Sequence, residues 1–197
     1  MAKRKSRGKG KGSSFERRIC KMLGLWWSEG KRDDIFWRTS NSGGRATVRK
    51  KKAQDTFGQE GDVQATDPIG QPLIDLCTIE VKCGYGRSSI IDIVDRPMSS
   101  AVQIWERWLE QASRESRDTG RWMLITKADR REVMIFLSLR LYNLLNQTGV
   151  QLRRARPYFT ITPLTKNRKL RRRIIGTTLE EFMRLVHRDN IIEANKA

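Results

Sequence analysis

Apolar residues return at helical spacing from Ser13 to Leu25, where Phe15, Ile19, Met22 and Leu23 share one face. Ser13 and Glu16 stand at the spacing of a capping box, and the Trp26-Trp27 pair closes the stretch. Ile35-Phe36-Trp37-Arg38-Thr39 predicts a short strand, running into the turn-rich Ser40-Asn41-Ser42-Gly43-Gly44-Arg45. No period is visible from Ser40 to Gly61, and loops of that length are often functional. Asp62–Thr66 and Leu73–Cys83 read as strands, with Asp67-Pro68-Ile69-Gly70 between them in the pattern of a type I turn. That reading predicts a hairpin returning Asp62 to the side of Glu80.

A second helix is expected over Ser100–Arg117, with a stripe of Ala101, Trp105, Trp108 and Ala112 flanked by Val102 and Leu109. Ser100 and Gln103 repeat the capping-box spacing, and the two tryptophans read as core. Strands follow at Arg121–Thr126 and Glu132–Leu137, a short helix at Ser138–Gln147, and a strand at Tyr158–Thr162 stopped by Pro163. Thr178 and Glu181 cap a last helix reaching about Arg188, which places His187 on a helix surface. The fold class is α/β (α+β), a layer of helices on a central mixed sheet.

Thr78-Ile79-Glu80-Val81-Lys82-Cys83-Gly84 is the strand around which the chemistry gathers. Side chains alternate along a strand, so Ile79, Val81 and Cys83 face a core while Glu80 and Lys82 share the other face. With Asp62 alongside, two carboxylates and an ammonium converge, a donor set suited to a hard divalent cation and a phosphodiester. The same residues also read as an ion pair on a solvated face, and Glu16 also reads as a helix cap.

Charge narrows the choice. The 197 residues carry a formal net charge of +18. A domain so basic faces a polyanion, nucleic acid above all. Met1–Gly12 has no acid and no period, and is expected to be a disordered basic arm ahead of one domain over 13–197. Lys9 and Lys11 of the arm, Arg38, Arg45, and Arg49, Lys50, Lys51 and Lys52 are the expected DNA contacts. No apolar run approaches the ~18 residues of a membrane span, so no membrane partner is expected. Three cysteines and one histidine make neither a disulfide framework nor a zinc site, and Cys20, Cys77 and Cys83 read as small buried hydrophobes in a reducing cytoplasm.

Gly61-Asp62 and then Glu80-Val81-Lys82, followed by a helix and a further strand, resemble the PD-(D/E)xK nuclease superfamily. Lys11-Gly12-Ser13-Ser14-Phe15-Glu16 and Arg38-Thr39-Ser40-Asn41-Ser42-Gly43 look most like archaeal-type Holliday junction resolvases and their phage relatives. The resemblance spans Lys11–Leu137, with Gly61 in place of the proline that names the superfamily. It implies a restriction-endonuclease-like core over 13–137, with 138–197 as an extension. It implies catalytic roles for Glu16, Ser42, Asp62, Glu80 and Lys82. Magnesium, or manganese in its place, would be held by Asp62, Glu80, the Val81 carbonyl and Glu16. The implied partner is DNA, a four-way junction cut at paired positions by a homodimer. A restriction-like or nicking endonuclease on other DNA, and a non-catalytic basic DNA-binding protein, are the competing readings.

Overall fold

The computed structural model describes residues 7–39, 61–84, 88–95, 102–163, 165, 167 and 170–196. Ser42, Arg45 and Arg49–Lys52 lie outside them. Helix α1 (Arg7–Trp27) leads to β1 (Phe36–Arg38), which pairs antiparallel with β2 (Val63–Ala65). Strands β3 (Thr78–Cys83), β4 (Trp122–Lys127), β5 (Val133–Ser138), β6 (Phe159–Ile161) and β7 (Ile174–Thr178) form a five-stranded sheet in the order β3-β4-β5-β7-β6. β3 and β4 are parallel and the other pairs antiparallel, so the sheet is mixed. A parallel pair needs a long crossover. The described part of this one contains α3 (Asp92–Asp95) and α4 (Ile104–Glu115).

Strand alternation sends side chains into two cores. Ile79, Val81, Met123, Ile125, Ile135 and Leu137 face the larger one, together with Phe15, Ile19 and Leu23 of α1. Trp122, Leu124, Phe136 and Ile174 face the other, under Trp105, Trp108, Leu109 and Ala112 of α4. Trp105 meets Trp108 and Phe136 edge to face, with centroids 5.0 and 5.1 Å away. The tryptophan stripe is core, as its helical spacing suggests.

The stretch after Leu137 supplies the far half of the sheet and three helices, α5 (Leu139–Gln147), α6 (Leu179–Leu185) and α7 (Arg188–Ala194). Ser138 caps α5 by accepting from the Leu141 N–H, and Thr178 caps α6 by accepting from that of Glu181. Gly176 of β7 is obligatory for packing, because a Cβ there would lie 2.3 Å from the Phe159 ring.

Four expectations are corrected. No hairpin joins β2 to β3: α2 (Gln71–Leu76) occupies the stretch read as the start of a long strand. Asp67 instead caps a 3-10 turn over Pro68–Gly70, and Pro72 sits in the first turn of α2, where its missing N–H costs nothing. Leu73 and Leu76 bury at helical spacing. Second, α1 begins at Arg7, ahead of the arm boundary at Gly12, so Ser13 lies inside a helix and cannot be its N-cap. Third, α4 starts after Gln103, whose side chain makes no capping bond. Fourth, the last helix stops at Leu185. His187 caps the separate α7 in a reciprocal pairing with Asn190.

Candidate active site

The site is assembled at the free edge of β3. Gly61 starts it with φ +75, and a Cβ there would lie 2.6 Å from the Ile79 carbonyl oxygen. Only glycine accommodates both constraints. The chain is thereby pressed onto β3, and the Asp62 N–H donates to the Ile79 carbonyl at 2.8 Å. Oδ2 of Asp62 then accepts from the Val81 N–H at 2.9 Å and from Lys82 Nζ at 2.9 Å. Lys82 also donates to Oε2 of Glu80. Asp62, Glu80 and Lys82 therefore converge as the sequence suggested, by edge contact rather than by a hairpin.

Glu80 is fully buried, and Asp62 is 5% exposed. Burial pushes the Glu80 carboxyl up to about 10, with the neighbouring Glu115 carboxyl and the Asp62 charge adding to it against the pull of Lys82. Burial alone would lower the Lys82 pKa, but the Glu80 and Asp62 carboxylates outweigh it and hold the ammonium charged. Asp62 sustains that charge even when Glu80 carries a proton. Oε1 of Glu80 is buried and has no hydrogen-bond partner. A buried carboxylate oxygen left in that state is costly unless something else meets it.

Glu115, the last residue of α4, is the acid that sequence reading missed. Its Oε2 accepts from the Gly61 N–H at 3.1 Å and its Oε1 from Gln111 Nε2 at 3.0 Å. Its carboxyl lies within hydrogen-bonding reach of Glu80. Gln111 and Glu115, four apart on one helical face, were the available signal, but nothing local ties that face to Glu80. Gly61 thus differs chemically from proline, which has no N–H to offer Glu115.

Glu16 belongs to this neighbourhood and not to a capping box. Its Oε2 accepts from Arg38 Nε at 2.8 Å, tying α1 to β1. The Cys20 thiol, one turn along α1, is pushed up to about 12, first by burial and then by the Glu16 charge, with Asp62 adding a smaller part. Glu16 and Asp62 thus act on the same buried thiol. Cys77 is likewise pushed up to about 12 by burial, so neither cysteine is poised as a nucleophile. Lys11 is exposed, and its charge reaches Cys83 at the end of β3. Lys9 lies in the first turn of α1.

Among the described residues, no three His, Cys, Asp or Glu side chains are spaced to hold a metal. Asp62 and Glu80 are instead drawn in around the Lys82 ammonium. The donor set itself fits a hard cation: two carboxylates converge, a third lies beside them, and one buried oxygen is unmet. Among the described residues no helix is long and apolar enough to cross a membrane.

A mixed sheet flanked by helices, with an aspartate beside a Glu-x-Lys strand, defines a restriction-endonuclease-like nuclease fold. Over residues 7–193 the sequence matches the family described as "Phage putative PDDEXK endonuclease", and the chain belongs to that family. The match runs past Leu137, where the motif resemblance ended, through β7, α6 and most of α7. No curated protein and no solved structure matches the chain. Membership makes this a nuclease-family hydrolase with DNA as its substrate and, as is general in the superfamily, a divalent metal as its cofactor.

Proposed function

We propose that the chain is a magnesium-dependent DNA endonuclease acting on branched DNA, four-way junctions first. The observation that carries the hydrolytic reading is the Asp62–Lys82–Glu80 cluster with its unmet Glu80 oxygen. Asp62 and Glu80 are the ligands, and manganese is the expected substitute metal. The Val81 N–H points to Asp62, and a strand residue presents its N–H and C=O to the same edge, so the Val81 carbonyl is a third ligand. When bound, the ion supplies Lewis acidity toward a phosphoryl oxygen and a water made more acidic.

The chain's own groups divide the remaining work. Lys82, held charged, places a positive centre where a phosphoryl oxygen gains charge, and in that state it cannot act as a base. Glu80 surrenders its proton when its oxygens face a cation. Glu16, fixed by Arg38, flanks the cluster from α1, and Ser42 is assigned to substrate contact by its place after β1. Lys9, Lys11 and the Arg45, Arg49 and Lys50–Lys52 cations hold the backbone.

Junction preference rests on the resemblance of α1 and of the segment after β1 to junction resolvases, together with the +18 charge that suits several converging backbones. Paired cuts require a homodimer, one site facing each of two strands. The family's description as an endonuclease, with no branch named, favours a second reading: nicking of ordinary duplex. Purified protein with magnesium on junction, fork and linear duplex side by side decides between them. Faster cutting of the junction, symmetric about the branch, supports the proposal. Equal cutting of linear arms supports the second reading.

A further inference from the structure

The α4 end that carries Glu115 to the site has a second face. Leu109, Ser113 and Arg117 lie on it at four-residue spacing and line a cleft of about 390 Å³ with Arg140, Arg172 and Arg173. Gln111 and Glu115 lie on the adjacent face, against Gly61. Cleft and catalytic cluster are therefore separated by one helix, roughly 10 Å across. At 3.4 Å per nucleotide along a strand, that is about three base steps.

The cleft is built for an anion. Its wall includes Ser138 and Arg140 at the N-terminal end of the nine-residue α5, where the helix dipole is positive. Arg140 is fixed there, its Nη1 donating to the carbonyls of Asp118 and Thr119 at 3.1 Å each. Arg172 and Arg173 project from the segment before β7, are exposed, and pair with no acid among the described residues. Asp118 is the one acid in the lining. The floor is apolar, including Trp122 and Ile174. Guanidinium forks match phosphate oxygens bidentately, which an acidic protein surface would not require.

We propose that this cleft is a second phosphate site, taking a backbone phosphate of the DNA strand a few nucleotides from the bond that is cut. The proposal rests on the nuclease reading. It makes the segment before β7 a DNA-contacting element and gives a function to residues beyond the catalytic motifs.

The test is equilibrium binding of labelled duplex DNA to the full chain in EDTA, across a salt series. Arg172→Ala with Arg173→Ala is compared with wild type and with Lys31→Ala plus Lys196→Ala. That control removes the same charge from turns after α1 and α7, on the opposite face of the sheet. The expected result is about tenfold weaker binding for the arginine pair at intermediate salt, with the log–log salt slope shallower by about two, one per lost phosphate contact. The control should keep the wild-type slope. An unchanged slope in the arginine variant, or an equal loss in the control, overturns the proposal. A second arm titrates inorganic phosphate and a mononucleotide. If the arginine variant loses binding to these while its duplex slope is unchanged, the site serves free phosphates and the strand assignment is wrong. Failure of wild-type protein to bind any DNA would instead defeat the nuclease reading itself.

Discussion

Arg38 donates from Nε to Oε2 of Glu16 at 2.8 Å, a partly buried pair that links β1 to α1 beside the Asp62 cluster. Sequence spacing offers Glu16 two roles, and this contact removes one of them, since Ser13 is inside the helix. Glu16→Gln keeps a hydrogen-bond acceptor for Arg38 but loses the charge. Cleavage should fall at least tenfold, which corresponds to about 1.4 kcal/mol of transition-state stabilisation. Urea unfolding should move by less than about 1 kcal/mol, the scale of an exposed or half-exposed ion pair. Wild-type cleavage in this variant would remove Glu16 from the site.

Gly61 should tolerate no side chain. Gly61→Ala puts a Cβ 2.6 Å from the Ile79 oxygen at φ +75. The left-handed conformation alone costs about 1–2 kcal/mol, and the clash adds to it. Denaturant titration should show a loss of about 2 kcal/mol or more. Gly61→Pro should lose at least as much, although proline is the residue the superfamily is named for, because the N–H that holds Glu115 disappears.

Glu80 should destabilise the fold it serves. Its carboxyl keeps a proton in the folded chain from the ordinary 4.5 up to about 10, where the unfolded chain has lost it. The folded state therefore binds more protons in that window, and stability falls as pH rises through it. Lys82 does not offset this: its pKa lies above the unfolded 10.5, so its contribution is complete below that value and is lost only at higher pH. Glu80→Gln should raise the melting temperature at pH 8.5 by about 2–4 °C per kcal/mol gained, and by less at pH 5. Equal melting at both pH values would show that Glu80 is ionised in the folded protein.

Magnesium should compete with that proton. Calorimetric titration without DNA should show affinity rising from pH 6 to pH 8.5, because ligand carboxylates bind metal only when deprotonated. Glu115→Gln removes a neighbouring charge and should shift the rise to lower pH. An unchanged profile would mean that Glu115 does not act on Glu80.

The central chemistry was legible because it is local. Glu80 and Lys82 are two apart on a strand, and alternation alone puts them on one face with Ile79 and Val81 behind. Asp62 was legible as a partner, but its route was not: Asp67-Pro68 reads as a turn, whereas Leu73 and Leu76 bury only when α2 packs on the core. Glu115 was invisible because its partners, Gly61 and Glu80, lie 54 and 35 positions away. Strand β7 was hidden behind Arg171–Arg173 and is short, and its place between β5 and β6 is set by pairing rather than by propensity.

The most direct test is single-turnover cleavage of DNA by Asp62→Asn, Glu80→Ala and Lys82→Ala at saturating enzyme, with magnesium, beside DNA binding in EDTA. All three variants should bind DNA. The two carboxylate variants should bind at least as tightly as wild type, having lost negative charge near phosphates. Each should cut at least a hundredfold more slowly, a loss of about 2.7 kcal/mol or more. Magnesium-dependent cleavage at the wild-type rate in any of the three would contradict the assignment of the Asp62–Glu80–Lys82 cluster as the catalytic centre.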